Sequence, residues 1–81
     1  MKLEKYRNKI DHIDKKIEAL LDKRLKLCKE IGDYKKENNL EVLDQNREDA
    51  IMKKIDDSNL EHKEAIKEIY KEIINEGKKV Q

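Results

Sequence analysis

The amino-acid sequence lacks several residue types, and each absence excludes a class of structure. Trp, Phe and Pro do not occur among the 81 residues, and Gly occurs only twice. Such a composition favours helices and provides little for a β-sheet. The single cysteine, Cys28, excludes an internal disulfide, and the two histidines lie too far apart in the sequence to suggest a zinc site. We therefore expect no metal, and we expect Cys28 to be a small buried hydrophobic residue rather than a nucleophile.

An excess of charge of one sign is also missing. The chain has 20 Lys and Arg against 19 Asp and Glu, for a net charge of +1. This balance argues against a nucleic-acid-binding protein that depends on bulk positive charge. The sequence contains neither the apolar run of a signal peptide nor a stretch long enough to span a membrane. We expect one cytoplasmic domain over residues 1–81.

What the sequence does contain is a long helical repeat at its N-terminal end. Residues spaced alternately by three and four predict a helix from about Leu3 to Lys36, roughly 50 Å long. Gly32 weakens this helix by about 1 kcal/mol relative to Ala, which a helix of this length absorbs. The spaced residues form what we call the seam: Leu3, Tyr6, Ile10, Ile13, Ile17, Leu20, Arg24, Leu27, Ile31 and Tyr34.

Two shorter helices are predicted in the rest of the chain. Asp44 is a suitable N-cap for the second helix, which carries Ile51 and Ile55 on one side. Ser58 followed by Glu61 resembles a capping box and predicts the start of the third helix. The apolar positions assigned to the third helix are Leu60, Ile66, Ile69, Tyr70, Ile73, Ile74 and Val80.

The fold class is therefore all-α, with three helices per chain and a very long first helix. The two later helices together are only about as long as the first, so the core of a monomer is thin for a domain of this size. A long apolar seam with so little cover within the chain favours a second copy. We predict an intertwined helical homodimer.

Charged residues at positions that face the core point to a binding site. Arg24 occupies a seam position, where an unpaired guanidinium is costly to bury, so it requires an anionic partner. Lys35 follows eleven residues later at nearly the same angle, about 16 Å along the axis. Arg7 lies seventeen residues before Arg24, about 25 Å away and rotated by roughly 100°. One small ligand cannot contact both arginines of one helix, but Arg7 of a second subunit can reach the site.

The other two helices show related patterns. Asp44, Arg47 and Glu48 fall on the same face of the second helix as Ile51, because they are spaced by three and four residues. On the third helix, Gly77 and Gln81 share a face with Ile74, and Gly77 allows another group to approach closely.

Each residue also has a purely structural interpretation. Arg24 is alternatively paired with Asp22 or Glu48, and Lys35 is alternatively one more solvated lysine. Asp44 is alternatively only an N-cap, with Arg47 and Glu48 as surface residues. For Gly77 and Gln81 the alternatives are the end of a helix and a frayed terminal residue.

In their order along the chain, these residues resemble the all-α (AroQ-type) chorismate mutase family. The resemblance extends over essentially the whole sequence. The matching blocks are Arg7-x-x-Ile10-Asp11-x-Ile13-Asp14-x-x-Ile17-x-x-Leu20-Leu21-x-x-Arg24, Ile31-Gly32-x-x-Lys35, Val42-x-Asp44-x-x-Arg47-Glu48-x-x-Ile51 and Ile73-Ile74-x-x-Gly77-x-x-x-Gln81.

The resemblance implies the rearrangement of chorismate to prephenate, without a cofactor. It implies that Arg24, with Arg7 from the other subunit, binds the two substrate carboxylates. Lys35 is implied to contact a carboxylate and the ether oxygen, to which Gln81 also donates.

The resemblance also assigns the remaining site residues. It implies that Glu48, helped by Asp44 and Arg47, holds the ring hydroxyl. Serine is common in the family at the position of Gly77, so one side-chain contact to a carboxylate is not expected here.

Two other functions remain open at this point. An isochorismate-pyruvate lyase on the same fold binds a similar dianion, although the group Asp44, Arg47 and Glu48 favours the mutase. A non-catalytic helical dimer that serves an interaction or regulatory role would keep the apolar seam, but it would have no reason to place Arg24 within it.

Overall fold

The computed structural model describes all 81 residues and contains three α-helices and no β-strand. The helices are α1 (Lys2–Glu37), α2 (Gln45–Asp56) and α3 (Lys63–Val80). The predicted all-α class is confirmed, and so is the very long first helix, which extends one residue further at each end than the pattern indicated. Asn38 ends α1 by donating from Nδ2 to the carbonyl of Tyr34 at 2.8 Å, and Asn39 adopts the left-handed conformation that turns the chain (φ 54°).

The helix α2 begins as the sequence predicted. The carboxylate of Asp44 accepts a hydrogen bond from the backbone N–H of Arg47 at 3.0 Å. This satisfies one of the four N–H groups that the first turn of a helix leaves without a partner. Asp44 is therefore confirmed as an N-cap.

The predicted start of the third helix at Ser58 is wrong. The Ser58 hydroxyl donates to the carbonyl of Ile55 at 2.6 Å and accepts from the N–H of Leu60 at 3.4 Å. The hydroxyl therefore serves the turn after α2 and is not available to cap α3. Leu60 lies in this connection, and α3 begins only at Lys63, where His62 makes no side-chain cap.

The helix α3 packs against both α1 and α2, whereas the backbones of α1 and α2 do not approach each other. An ion pair reinforces the contact between α2 and α3, with Lys67 Nζ 2.6 Å from Asp56 Oδ1. The hydrogen bond from Lys67 lowers the pKa of the Asp56 carboxyl and raises the pKa of the Lys67 ammonium.

The core is small and lies at one end of the molecule. Its buried apolar side chains are Cys28, Ile55 and Ile74, which confirms the prediction that Cys28 is buried. Every residue from Met1 to Leu20 is exposed, so the first half of α1 extends beyond the other two helices. The molecule is correspondingly elongated, with a length of 56 Å and a Cα radius of gyration of 15.9 Å. None of the three helices is long and apolar enough to cross a lipid bilayer.

Candidate active site

The gap between α1 and α2 is a pocket that the C-terminal end of α3 closes on one side. Its volume is about 440 Å³, which is within the range of small-molecule sites. Seven of the eight predicted site residues line it: Arg24, Lys35, Asp44, Arg47, Glu48, Gly77 and Gln81. The remaining lining residues are Leu27, Cys28, Ile31, Val42, Ile51, Ile74 and Lys78.

The eighth predicted residue, Arg7, is not part of this pocket. It lies on the extended half of α1, where it is exposed. Its separation of seventeen residues from Arg24 corresponds to about 25 Å along the helix. Within one chain, therefore, Arg7 does not reach the other seven residues.

Arg24 is half-buried in the wall of the pocket and forms no ion pair. Its Nη1 lies 3.7 Å from the Sγ of Cys28, a weak acceptor one turn further along α1. Both alternative partners are occupied elsewhere, since Asp22 pairs with Lys26 at 3.1 Å and Glu48 pairs with Lys78 at 3.3 Å. A guanidinium with five donors therefore faces the pocket with its charge uncompensated by the chain.

Lys35 and Gln81 form a second polar group, although 46 positions separate them in the sequence. Lys35 Nζ donates to Gln81 Oε1 at 3.1 Å and to the carbonyl of Val42 at 2.8 Å. An ammonium has three donors, so one N–H of Lys35 remains. Because Oε1 of Gln81 accepts from Lys35, the amide Nε2 is the atom of Gln81 that is left to donate to a ligand.

Gly32 allows Gln81 to lie beside Lys35. A Cβ atom at position 32 would lie 2.6 Å from the Cα of Gln81 and 2.7 Å from its carbonyl oxygen, closer than any van der Waals contact allows. The absence of a side chain thus allows the backbone of Gln81 to rest directly on α1. The contact sets Gln81 one helical turn from Lys35, on the same stretch of α1.

Gly77 makes a looser approach to the same helix. A Cβ atom there would lie 3.1 Å from Cys28 Sγ and 3.2 Å from Arg24 Nη1. Both neighbours are side-chain atoms, which have more freedom to move than backbone. Gly77 therefore leaves room around the Arg24 guanidinium, as its position on the shared face of α3 suggested.

The first turn of α2 supplies the carboxylates of the pocket. Asp44 is held by its capping hydrogen bond, and Glu48 follows one turn later. Lys78 of α3 lies 3.3 Å from Glu48 Oε2 and 3.5 Å from Oε1. The shorter contact lacks hydrogen-bond geometry, so Oε2 is buried without a hydrogen-bond donor from any residue of the chain.

The charges that line the pocket do not balance. Arg24, Lys35, Arg47 and Lys78 are cationic, whereas only Asp44 and Glu48 are anionic. The lining therefore has a formal excess of two positive charges on a chain whose net charge is only +1. A small dianion that carries at least one hydroxyl or other donor complements this arrangement.

Two residues of the site were not predicted from the sequence. Lys78 was not singled out, yet it follows Ile74 by four positions and precedes Gln81 by three. That spacing places it on the inward face of α3 and was the available signal. Gly32 was interpreted only as a residue that weakens α1. Nothing in the local sequence indicated that the backbone of Gln81 packs against it.

Comparison with known proteins identifies the family. The family described as Chorismate mutase type II matches residues 6–81. The chain is also 40% identical over 79 residues to the bifunctional chorismate mutase/prephenate dehydratase of Aquifex aeolicus (strain VF5). The alignment covers 90% of this chain but only 22% of that relative's length. No solved structure matches the chain.

The region that matches the family contains the whole pocket. The family match extends from the exposed half of α1, just before Arg7, to Gln81 in the pocket, and so it includes every predicted site residue. The chain belongs to the chorismate mutase type II family.

Proposed function

We propose that the protein catalyses the intramolecular rearrangement of chorismate to prephenate, a step towards phenylalanine and tyrosine. The observation that carries this proposal is the excess of two positive charges around a pocket of about 440 Å³, including an Arg24 that has no carboxylate partner. Chorismate is a dianion with a ring hydroxyl, so it matches both the charge and the donor requirement. The family membership supports the same substrate.

The reaction makes two physical demands. The enolpyruvyl arm must be folded over the ring, and negative charge that develops on the breaking ether oxygen must be stabilised. The first is a problem of orientation, and the second is met best by donors that are already in place. Because bonds break and form within one molecule, neither a nucleophile nor a redox group is required.

Specific side chains are proposed for each demand. Arg24 binds one carboxylate through its bidentate fork and, with a second arginine, restrains the folded arm. The free N–H of Lys35 and the Nε2 of Gln81 donate to the ether oxygen. Their mutual hydrogen bond of 3.1 Å holds both groups in position before the substrate binds.

The carboxylates of α2 are proposed to bind the ring hydroxyl. Glu48 accepts its hydrogen bond, while Asp44 and Arg47 hold the first turn of the helix around it. A neutral hydroxyl is the only donor that chorismate offers at neutral pH, so a carboxylate acceptor in a cationic pocket is selective for it.

We further propose that the active form is a homodimer in which the partner subunit supplies the second arginine, Arg7. A compact protein of 9.7 kDa exposes about 5,100 Å², whereas this chain exposes 7144 Å². The excess is about 2,000 Å² per chain, or about 4,000 Å² for two chains, which is within the range buried in obligate homodimers. Its apolar part is the seam, whose members from Leu3 to Leu20 have no cover within the chain.

The direct test is an assay of the purified protein with chorismate, followed by the loss of its absorbance, and in parallel with isochorismate. Turnover of chorismate to prephenate is expected. Release of pyruvate from isochorismate alone would assign the lyase activity instead. If neither substrate reacts and a chorismate-like dicarboxylate does not raise the melting temperature, the proposed enzymatic function fails and the non-catalytic alternative takes its place.

Two substitutions test the proposed roles in the pocket. Arg24→Ala and Lys35→Ala should each lower kcat/KM by at least about 100-fold, because each removes a positive charge that is already in place for the substrate. Circular dichroism should change little, since neither side chain forms an ion pair within the chain. Urea unfolding should show a small loss of stability in Lys35→Ala, about 1 to 2 kcal/mol, because this variant lacks the hydrogen bonds to Val42 and Gln81. Lys23→Ala is the matched control, as Lys23 is an exposed neighbour outside the pocket. Near-normal turnover by either pocket variant would remove that residue from the mechanism.

A further inference from the structure

We propose that Lys78 is a positioning residue whose ammonium group holds the Glu48 carboxylate in the pocket wall, so that Glu48 accepts a hydrogen bond from a hydroxyl of the substrate. The hydroxyl acceptor role rests on the proposed function, whereas the electrostatic dependence of Glu48 on Lys78 does not. The pair joins α2 to the last turn of α3, and both residues line the pocket.

The geometry gives Glu48 a single close counter-charge. Lys78 Nζ lies within 3.5 Å of both carboxylate oxygens, and no other cation lies within 4.0 Å of either. Only 21% of the Glu48 side chain is exposed, and Oε2 is buried without a hydrogen-bond donor. A carboxylate oxygen removed from water in this way is stable as an anion only if a nearby charge compensates it.

The other charged groups around the pocket do not replace Lys78. Arg24 and Lys35 project from α1, and Arg47 belongs to α2, but none of them forms an ion pair with Glu48. Asp44, one turn before Glu48, is a like charge that repels the Glu48 carboxylate. A bound dianion adds further repulsion. The contribution of Lys78 to holding Glu48 in place is therefore greatest when the substrate is present.

The position of the carboxylate determines what Glu48 can do. A carboxylate accepts strong hydrogen bonds and donates none. Fixing it in the pocket wall therefore selects a ligand that presents a donor at this position. Lys78 contributes to this selection without touching the substrate.

The experiment compares the kcat/KM of wild type with those of Lys78→Met, Lys78→Arg and Lys79→Met, and repeats Lys78→Met in a Glu48→Gln background. Lys78→Met should lower kcat/KM by about 10-fold, and Lys78→Arg should restore most of the loss. In the Glu48→Gln background, Lys78→Met should have little further effect, because the carboxylate that Lys78 positions is already absent. Lys79→Met is the matched control, because Lys79 pairs with Glu76 at 2.6 Å outside the pocket. Wild-type kcat/KM in Lys78→Met, or an equal loss in the Glu48→Gln background, would overturn the proposal.

Urea unfolding of the free protein provides the second readout, which does not depend on activity. Lys78→Met should lower the urea midpoint of wild type and should leave that of Glu48→Gln nearly unchanged, because the two side chains are in contact. Additive effects of the two substitutions would overturn the coupling of Glu48 to Lys78. If wild type does not convert chorismate while the two substitutions remain non-additive, the proposed function fails and the electrostatic coupling stands.

Discussion

At the scale of single residues, the pocket depends on partners that are distant in the sequence. Lys35 donates to Gln81 across 46 positions, and Lys78 meets Glu48 across 30. The first contact requires the end of α3 to lie directly on α1, and the second requires it to lie against α2. Gly32 permits the approach to α1, because any side chain there would occupy the space of the Gln81 backbone. A residue without a side chain thus controls the placement of Gln81 beside Lys35.

Gly32→Ala should separate activity from stability. The added methyl group would lie 2.6 Å from the Cα of Gln81, so the end of α3 must move away and the hydrogen bond to Lys35 is lost. We expect kcat to fall by about 10- to 100-fold, while α1 itself gains about 1 kcal/mol of helix propensity. Steady-state kinetics and circular dichroism measure the two effects.

The control for this prediction is Asp33→Ala. Asp33 is the next residue of α1, is exposed and forms no ion pair or side-chain hydrogen bond. This variant should keep wild-type kinetics. An equal fall of kcat in Gly32→Ala and Asp33→Ala would contradict the proposed importance of the contact between Gly32 and Gln81.

At the scale of the helices, the contacts that hold the two ends of α2 also determine the geometry of the pocket. Asp44 starts the helix by accepting from Arg47 N–H, and the same side chain lines the pocket. The other end of α2 is closed by Ser58 and tied to α3 by Asp56 and Lys67. The short helix is therefore held at both termini, which fixes Glu48 relative to Lys78.

Asp44→Ala and Asp44→Asn should differ in stability. Alanine removes the cap and should lower the free energy of unfolding by about 1 kcal/mol, whereas asparagine caps a helix about as well as aspartate. Urea unfolding at neutral pH measures the difference. The Asp44→Asn variant also lacks the charge, so comparing the activities of the two variants separates the capping role from the electrostatic role. Equal stability of both variants would contradict the capping role.

At the scale of the whole molecule, one chain does not cover its own apolar surface. The seam continues along the exposed half of α1, and Arg7 lies on that half, remote from the pocket. In the proposed dimer, a single interface accounts for both features. The partner subunit covers the exposed seam, and Arg7 of the partner subunit reaches the pocket. The unequal lengths of α1 and the other two helices are thus a reason for association.

Mixing Arg7→Ala protein with Arg24→Ala protein tests the shared site. In a heterodimer, one of the two sites contains both arginines and the other contains neither. Random exchange at equal concentrations should restore about a quarter of wild-type activity, because half of the dimers are mixed. Activity is measured after unfolding and refolding the mixture, with each variant refolded alone as the control. No recovery in heterodimers verified by mass spectrometry would contradict a site built from two subunits.

The local pattern of the sequence was sufficient for α1, for the N-cap at Asp44 and for seven of the fourteen residues that line the pocket. These features depend on interactions between near neighbours, such as the spacing of three and four that places Arg24 among apolar residues. The same local logic failed at Ser58. The Ser58 hydroxyl can bond either to the C-terminal end of α2 or to the N-terminal end of α3. The packing of α2 on α3 determines which of the two bonds forms.

The sequence by itself determined the helical class, the long apolar seam and the presence of cations where a core is expected, because periodicity and residue chemistry are properties of the chain alone. Tertiary structure alone decided that Arg24 has no carboxylate partner, that Gln81 packs on Gly32 and that Lys78 forms an ion pair with Glu48. Each of these depends on a distance between segments far apart in the sequence, and such distances exist only after α3 has packed against both other helices.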